Sequence, residues 1–272
     1  IWECPDLFPM RDNDGDTKWV LIGSRIGDGA CDTFYFVGDF DGEKFTALQS
    51  PKRLGGPDDY AAVSWSDVPD GRRVIIGWMN HWNYAHSVPH TTWQGQMTLP
   101  RELKLRRDEN GYTLLQNPVR ETETLRGASH ELENLRGDSF EILGAWNVST
   151  HNARCGFRVL SGDGEEAVIG YENGAIFLDR TRAGQSDFNA HFARRYEMPL
   201  SQNGEIKLRV FVDRNGVEVF ANDGEAMLSA LVFPANEKLK IEAWSENAEL
   251  LEARAYELRD AKMENAECCD PQ

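Results

Sequence analysis

Residues 206–220 read Ile206-Lys207-Leu208-Arg209-Val210-Phe211-Val212-Asp213-Arg214-Asn215-Gly216-Val217-Glu218-Val219-Phe220. Ile206, Leu208, Val210 and Val212 fall on one face of an extended chain, because successive side chains of a strand point to opposite sides. Arg214-Asn215-Gly216 then reverses the chain: Asn-Gly tolerates the left-handed backbone of a tight hairpin turn, and Val217 and Val219 resume the alternation. Downstream, Asp223-Gly224 marks a further turn between this hairpin and two more apolar runs, 226–233 and 239–244. Several strands in a row joined by tight turns are the pattern of a β-sandwich.

The same texture extends upstream. Runs at 19–24, 33–40, 61–65 and 73–78 are punctuated by Asp14-Gly15, Asp41-Gly42 and Asp70-Gly71, with one long excursion at 85–93. Helical periodicity is almost absent, so the chain reads as all-β. Hairpins in series fit four-stranded propeller blades, and a second sandwich fits them too. Around 117–135 the chain turns rich in Glu, Arg and Leu, with Val119, Leu125, Leu132 and Leu135 irregularly spaced, as in an interdomain linker with room for a helical turn. The expected division is blades over 1–115, a linker over 116–127, a sandwich over 128–260 and a disordered tail over 261–272.

Lys and Arg number 29 against 45 Asp and Glu, and 29 − 45 gives −16 at pH 7. Such an excess repels phosphate backbones and anionic membranes, so a neutral substrate is the better expectation. No run approaches the length of a membrane span, and Glu3, Cys4, Pro5 and Asp6 stand where a signal peptide would need apolar residues. Cys4, Cys31, Cys155, Cys268 and Cys269 are an odd number without C-x-x-C spacing, which indicates neither a disulfide framework nor a zinc site. Asp12, Asp14 and Asp16 have the spacing of a calcium loop, but Thr17 and Gly23 replace its essential Gly and Glu, leaving a hairpin turn. His81, His86 and His90 lack the helix that would align them on a metal. Asn147-Val148-Ser149 is a glycosylation triplet of a kind that occurs by chance.

Three segments carry chemistry. In Trp2-Glu3-Cys4-Pro5-Asp6-Leu7-Phe8, a carboxylate lies between an indole and a thiol. Desolvated there, Glu3 would hold its proton near neutral pH as a general acid; the alternative is a surface Glu on a sheet edge. Trp78, Trp82, Tyr84 and Trp93 fall close together among Asn80, His81, Asn83 and Gln94. Aromatic faces pack on the C–H faces of sugars while amides bind hydroxyls, so the cluster suits a carbohydrate pocket or an aromatic core with polar loops. Asp58-Asp59-Tyr60-Ala61-Ala62, after Gly55-Gly56, places two carboxylates and a phenol at the start of a strand, and alone is a turn.

Together, in this order, these motifs resemble glycoside hydrolase family 32, the β-fructofuranosidases that include levanases, exo-inulinases and invertases. The resemblance rests on Trp2-Glu3-Cys4-Pro5-Asp6-Leu7, Tyr35-Phe36-Val37-Gly38-Asp39-Phe40-Asp41-Gly42, Asp58-Asp59-Tyr60-Ala61-Ala62, Gly77-Trp78-Met79-Asn80-His81-Trp82 and Leu99-Pro100-Arg101-Glu102-Leu103. In the second half it continues through Asp179-Arg180-Thr181-Arg182, Val212-Asp213-Arg214, Val217-Glu218-Val219-Phe220 and Asn222-Asp223-Gly224. It implies a five-bladed β-propeller, here partial, followed by a β-sandwich, and a retaining double displacement in which an aspartate attacks fructose while a glutamate protonates the leaving oxygen.

By that resemblance Glu3 is the acid/base, Asp58 and Tyr60 line the fructose pocket, Trp82 is its aromatic wall, and Cys4 helps tune the acid. The substrate class is a fructan (levan or inulin) or sucrose, and a polymeric fructan would favour a secreted protein. No metal or organic cofactor is implied, since a proton donor and a carboxylate nucleophile suffice. The family's Asn-Asp-Pro and Arg-Asp-Pro motifs have no counterpart: Arg11-Asp12 is followed by Asn13 and Arg259-Asp260 by Ala261. Both should precede the Glu-Cys motif, so the expectation is that about 100 or more residues of blade, at roughly 40 per blade, belong upstream of Ile1 and could act as a partner half. Leu54-Gly55-Gly56 replaces the Asp-x-Gly of many members, which leaves the choice among sucrose and longer fructans open. A fructosyltransferase or a non-catalytic fructan-binding remnant would share these residues.

Overall fold

A computed structural model describes residues 1–27, 30–89, 94–162, 164–201, 204–236 and 238–261. His90, Trp93, Cys268, Cys269 and the tail from 262 lie outside the described residues. The first sheet contains β1 (Trp2–Arg11), β2 (Thr17–Gly27), β3 (Ala30–Phe40) and β4 (Phe45–Ala47) in sequence order, with β5 (Lys52–Arg53) also on β3. The second contains β6 (Tyr60–Ser64), β7 (Arg73–Trp78), β8 (Arg101–Asp108) and β9 (Gly111–Pro118), again in sequence order. Both are antiparallel meanders, the build of propeller blades.

The blades pack face to face because each contributes alternate apolar side chains: Phe8, Val20, Ile22, Tyr35 and Val37 from one, Ala62, Ile75, Leu103, Leu105 and Leu114 from the other. The Asp12–Asp16 stretch is the β1–β2 turn. Asp12 Oδ1 accepts the backbone N–H groups of Asp14 and Asp16 at 3.0 Å each, so the local acidic spacing closes a hairpin.

Beyond β9 come a 3-10 turn (Arg120–Leu125), β10 (Arg126–His130) and a second 3-10 turn (Leu132–Asn134). Ten further strands follow: β11 (Ser139–Asn147), β12 (Arg154–Gly162), β13 (Glu165–Glu172), β14 (Ala175–Arg182), β15 (Arg195–Pro199), β16 (Glu205–Asp213), β17 (Gly216–Ala221), β18 (Ala226–Leu231), β19 (Lys240–Glu246) and β20 (Glu249–Leu258). They form a sheet in the order β10-β20-β11-β16-β17-β18 and a second in the order β15-β14-β13-β12-β19. Ile206, Leu208, Val210 and Val212 enter the core between these sheets, with Phe157, Ile169, Ile176 and Leu178. That face of the hairpin is as its alternation requires.

The opposite face departs from a simple sandwich, whose outer side would be wet. Phe211, Phe220 and Met227 are buried there and pack with Leu99 of the blade half. Glu218 is buried with them, its Oε1 accepting the Leu99 N–H at 2.7 Å. Burial pushes its carboxyl up to about 8, against the opposing pull of Arg101 and the Leu99 N–H.

Candidate active site

Glu3 sits where β1 is bulged. Its register against β2 shifts between Glu3 and Asp6, and Cys4 adopts φ 48°. A left-handed non-glycine residue inside a bulge re-aims the neighbouring side chain. The second element is bulged as well: Tyr60 opens β6, Ala61 has φ 54°, and the register against β7 shifts between Tyr60 and Val63. The two irregular strands meet, and the Tyr60 hydroxyl donates to Glu3 Oε2 at 2.6 Å. Burial, then the hydrogen bond to Glu3, raise the Tyr60 phenol far above its ordinary range, so it stays a donor.

An aromatic row continues from this pair. Trp78 lies edge-on to Tyr60 at 6.4 Å, Trp82 is tilted against Trp78 at 5.0 Å, and Trp82 is 42% exposed. A large indole left open beside a hydrogen-bonded carboxylate can face the apolar side of a sugar ring. Trp2, next to Glu3 in the chain, is exposed and stacks on Phe36 at 5.8 Å. Glu3, Tyr60 and Trp82 are thus brought to one region, with the exposed Cys4 beside Glu3.

Asp58 departs from the expectation of a pocket-lining residue. It is fully buried, accepting from Arg180 Nη1 at 2.5 Å, from the Leu231 N–H at 2.7 Å and from the Tyr84 hydroxyl. Its carboxylate is turned toward the sandwich because a buried charge requires a full set of partners. Asp59 is likewise locked, to Arg101 at 2.6 and 3.0 Å.

Cys31 was not singled out by its sequence context, yet the Trp82 backbone and the Glu3 charge both act on its thiol. Burial raises that thiol, so it acts as packing under the aromatic row. His81 stacks on Tyr84 at 5.0 Å, and burial lowers its imidazole below the ordinary range. Among the described residues no group of three or more His, Cys, Asp or Glu is placed to hold a metal ion.

Blades bearing a carboxylate and an aromatic wall, backed by a sandwich, have the architecture of the propeller-and-sandwich glycoside hydrolases. The chain belongs to glycosyl hydrolases family 32: the family's N-terminal domain matches residues 1–118 and its C-terminal domain residues 104–257. It is 39% identical to a levanase of Bacillus subtilis over 91% of this chain and 41% of that protein. It is 34% identical to an extracellular exo-inulinase of Aspergillus niger over 87% of this chain and 50% of that protein. The crystal structure of exo-inulinase from Aspergillus awamori superposes with a TM-score of 0.82 at 29% identity, covering 94% of this chain and 57% of that one. The chain spans about half the length of the curated relatives it matches.

Proposed function

We propose that residues 1–272 carry the acid/base side of a β-fructosidase that hydrolyses terminal β-fructofuranosyl bonds of levan, inulin or sucrose with retention. The observation that carries this reading is the 2.6 Å hydrogen bond from Tyr60 to Glu3 beside the open indole of Trp82. Tyr60 holds one oxygen of the carboxyl, which fixes the direction in which Glu3 can present its proton. Glu3 protonates the leaving oxygen while a carboxylate forms a fructosyl-enzyme, and Glu3 then activates the water that releases fructose. The relatives named levanase and exo-inulinase support the substrate class, and the extracellular exo-inulinase supports secretion. The blades, to about residue 115, bear the chemistry, and the sandwich from about 128 supports them.

Retention needs two carboxylates about 5 to 5.5 Å apart. Asp58 and Asp59, which precede Tyr60, are both committed to buried arginines. By the family resemblance the attacking carboxylate belongs to the Asn-Asp-Pro motif, which residues 1–272 lack, so the purified 272-residue chain is expected to release no fructose from sucrose, levan or inulin. The test of Glu3 is a hybrid in which residues 1–272 replace the matching segment of the Bacillus subtilis levanase. There, Glu3→Gln should lower turnover of levan by about 10²- to 10⁴-fold with KM little changed. Near-normal turnover in the variant would remove Glu3 from the role.

A further inference from the structure

We propose that Arg180, contributed by the sandwich, is a positioning residue for the Glu3–Tyr60 pair and for Trp82, acting through Asp58 and Tyr84. The inference rests on the reading of Glu3 as acid/base and extends it to the half of the chain that bears none of the expected site residues. Arg180 is fully buried on β14, and every arm of its guanidinium is occupied. Nη1 donates to Asp58 Oδ2 at 2.5 Å and to the Leu231 carbonyl at 3.0 Å. Nη2 donates to the Tyr84 hydroxyl at 2.6 Å and to that of Tyr196 at 3.3 Å, and Nε to the Phe192 carbonyl at 2.8 Å. The group lies 3.8 Å from the centroid of the Phe192 ring. A planar fork of fixed donors fixes its acceptors relative to one another.

From Asp58 the path to the acid/base is two residues long. Asp58 N–H donates to the Ser229 carbonyl at 2.9 Å and Ser229 N–H to the Gly56 carbonyl at 2.8 Å, so 56–58 is sewn to β18. Next, Asp59 is gripped by Arg101, and its carbonyl accepts from Thr33 Oγ1 at 2.9 Å. The backbone has no slack when it reaches Tyr60. From Tyr84 the path to the wall is equally short. The N–H groups of Tyr84 and Ala85 both donate to the His81 carbonyl, at 3.1 and 2.9 Å, closing the turn that carries Trp82. One sandwich side chain thus ties down both sides of the site. A role in stability alone is a weak account of it, since apolar residues can replace buried ion pairs without loss of stability.

The test reads the Tyr60 hydroxyl in the 272-residue chain, with tyrosines carrying ¹³C at Cζ and the Tyr60 resonance assigned by its loss in Tyr60→Phe. This resonance should inflect with pH as the accepting carboxylate takes up a proton, and Glu3→Gln should abolish the inflection. Arg180→Met alone would leave Asp58 buried and unpaired, so it is combined with Asp58→Asn. The expected result is a cooperatively melting double variant whose inflection moves by about half a pH unit or more, with a smaller movement in Tyr84→Phe and in Arg180→Lys. If the double variant does not fold, the latter two decide. An unchanged inflection in folded variants overturns the positioning role and leaves the acid/base reading standing. An inflection that survives Glu3→Gln overturns both.

Discussion

The sandwich and the blades use the same kind of strand but hold together differently. Among the described residues, the sandwich core gathers thirty buried apolar side chains between two sheets that close over one another, whereas the two blades share twelve. The blades compensate with buried charge: Asp58 and Asp59 are satisfied by Arg180 and Arg101, with all four side chains fully excluded from water. The Asp58–Arg180 pair joins the blades to the sandwich, whereas the Asp59–Arg101 pair lies within the blade half. A site that must hold a carboxyl and a phenol at 2.6 Å gains from such bonds, because apolar packing alone fixes orientation less tightly.

Separating the halves tests this comparison most severely. Residues 119–261 alone should unfold in one cooperative thermal transition by circular dichroism, while residues 1–118 alone should show none; a cooperative blade half would break the comparison. Within the whole chain, Asp59→Ala strands Arg101 in the interior and should cost about 3–5 kcal/mol in urea unfolding. By contrast, Asp39→Ala, which removes the exposed Lys18–Asp39 pair, should cost about 1 kcal/mol or less. Equal losses would show that burial adds nothing to the Asp59–Arg101 pair.

Glu218 sharpens the same point through pH. Its folded-state carboxyl is raised to about 8 by burial, so the folded chain binds the extra proton; its stabilising contribution is complete below the ordinary glutamate range and is lost as pH rises toward about 8. Glu218→Gln, neutral at every pH, should therefore melt on the order of 5 °C above the parent at pH 8, with the gap closing toward pH 4. A pH-independent gap would mean that Glu218 is not buried in its neutral form. The smallest effect on stability belongs to the open aromatic wall. Trp82→Ala should leave the melting temperature nearly unchanged and, in the hybrid with the Bacillus subtilis levanase, weaken fructan binding by about 1–3 kcal/mol; an unchanged KM would place the indole outside the pocket.

The alternation of 206–220 made the hairpin legible because period two reports which side chains share a face. It could not report that the outer face, with Phe211, Phe220 and Glu218, is covered, since that depends on a blade more than a hundred residues away. Motif order drew attention to Glu3, Tyr60 and Trp82, which the fold brings to one region, whereas Asp58, expected to line a pocket, bonds to Arg180, because a carboxylate beside a tyrosine looks the same in sequence whether it faces a ligand or an arginine. A signal for Arg180 was present. It continues the inward parity of Ile176 and Leu178, and a cation on an apolar face implies a buried acceptor. Cys31 offered no such signal, a small thiol in a strand being unremarkable.

The short parallel bridge between Pro57 and Ser229 has a consequence for solubility. β18 ends its sheet, and all six of its residues, Ala226–Leu231, are buried. The blade half supplies the cover: the Gly56 carbonyl and the Asp58 N–H occupy backbone groups that would otherwise stand ready to template another chain. A sandwich released from its blades would keep its core yet present this apolar edge to its neighbours, so proteolysis between the halves would yield a fragment that is folded and prone to edge-to-edge self-association.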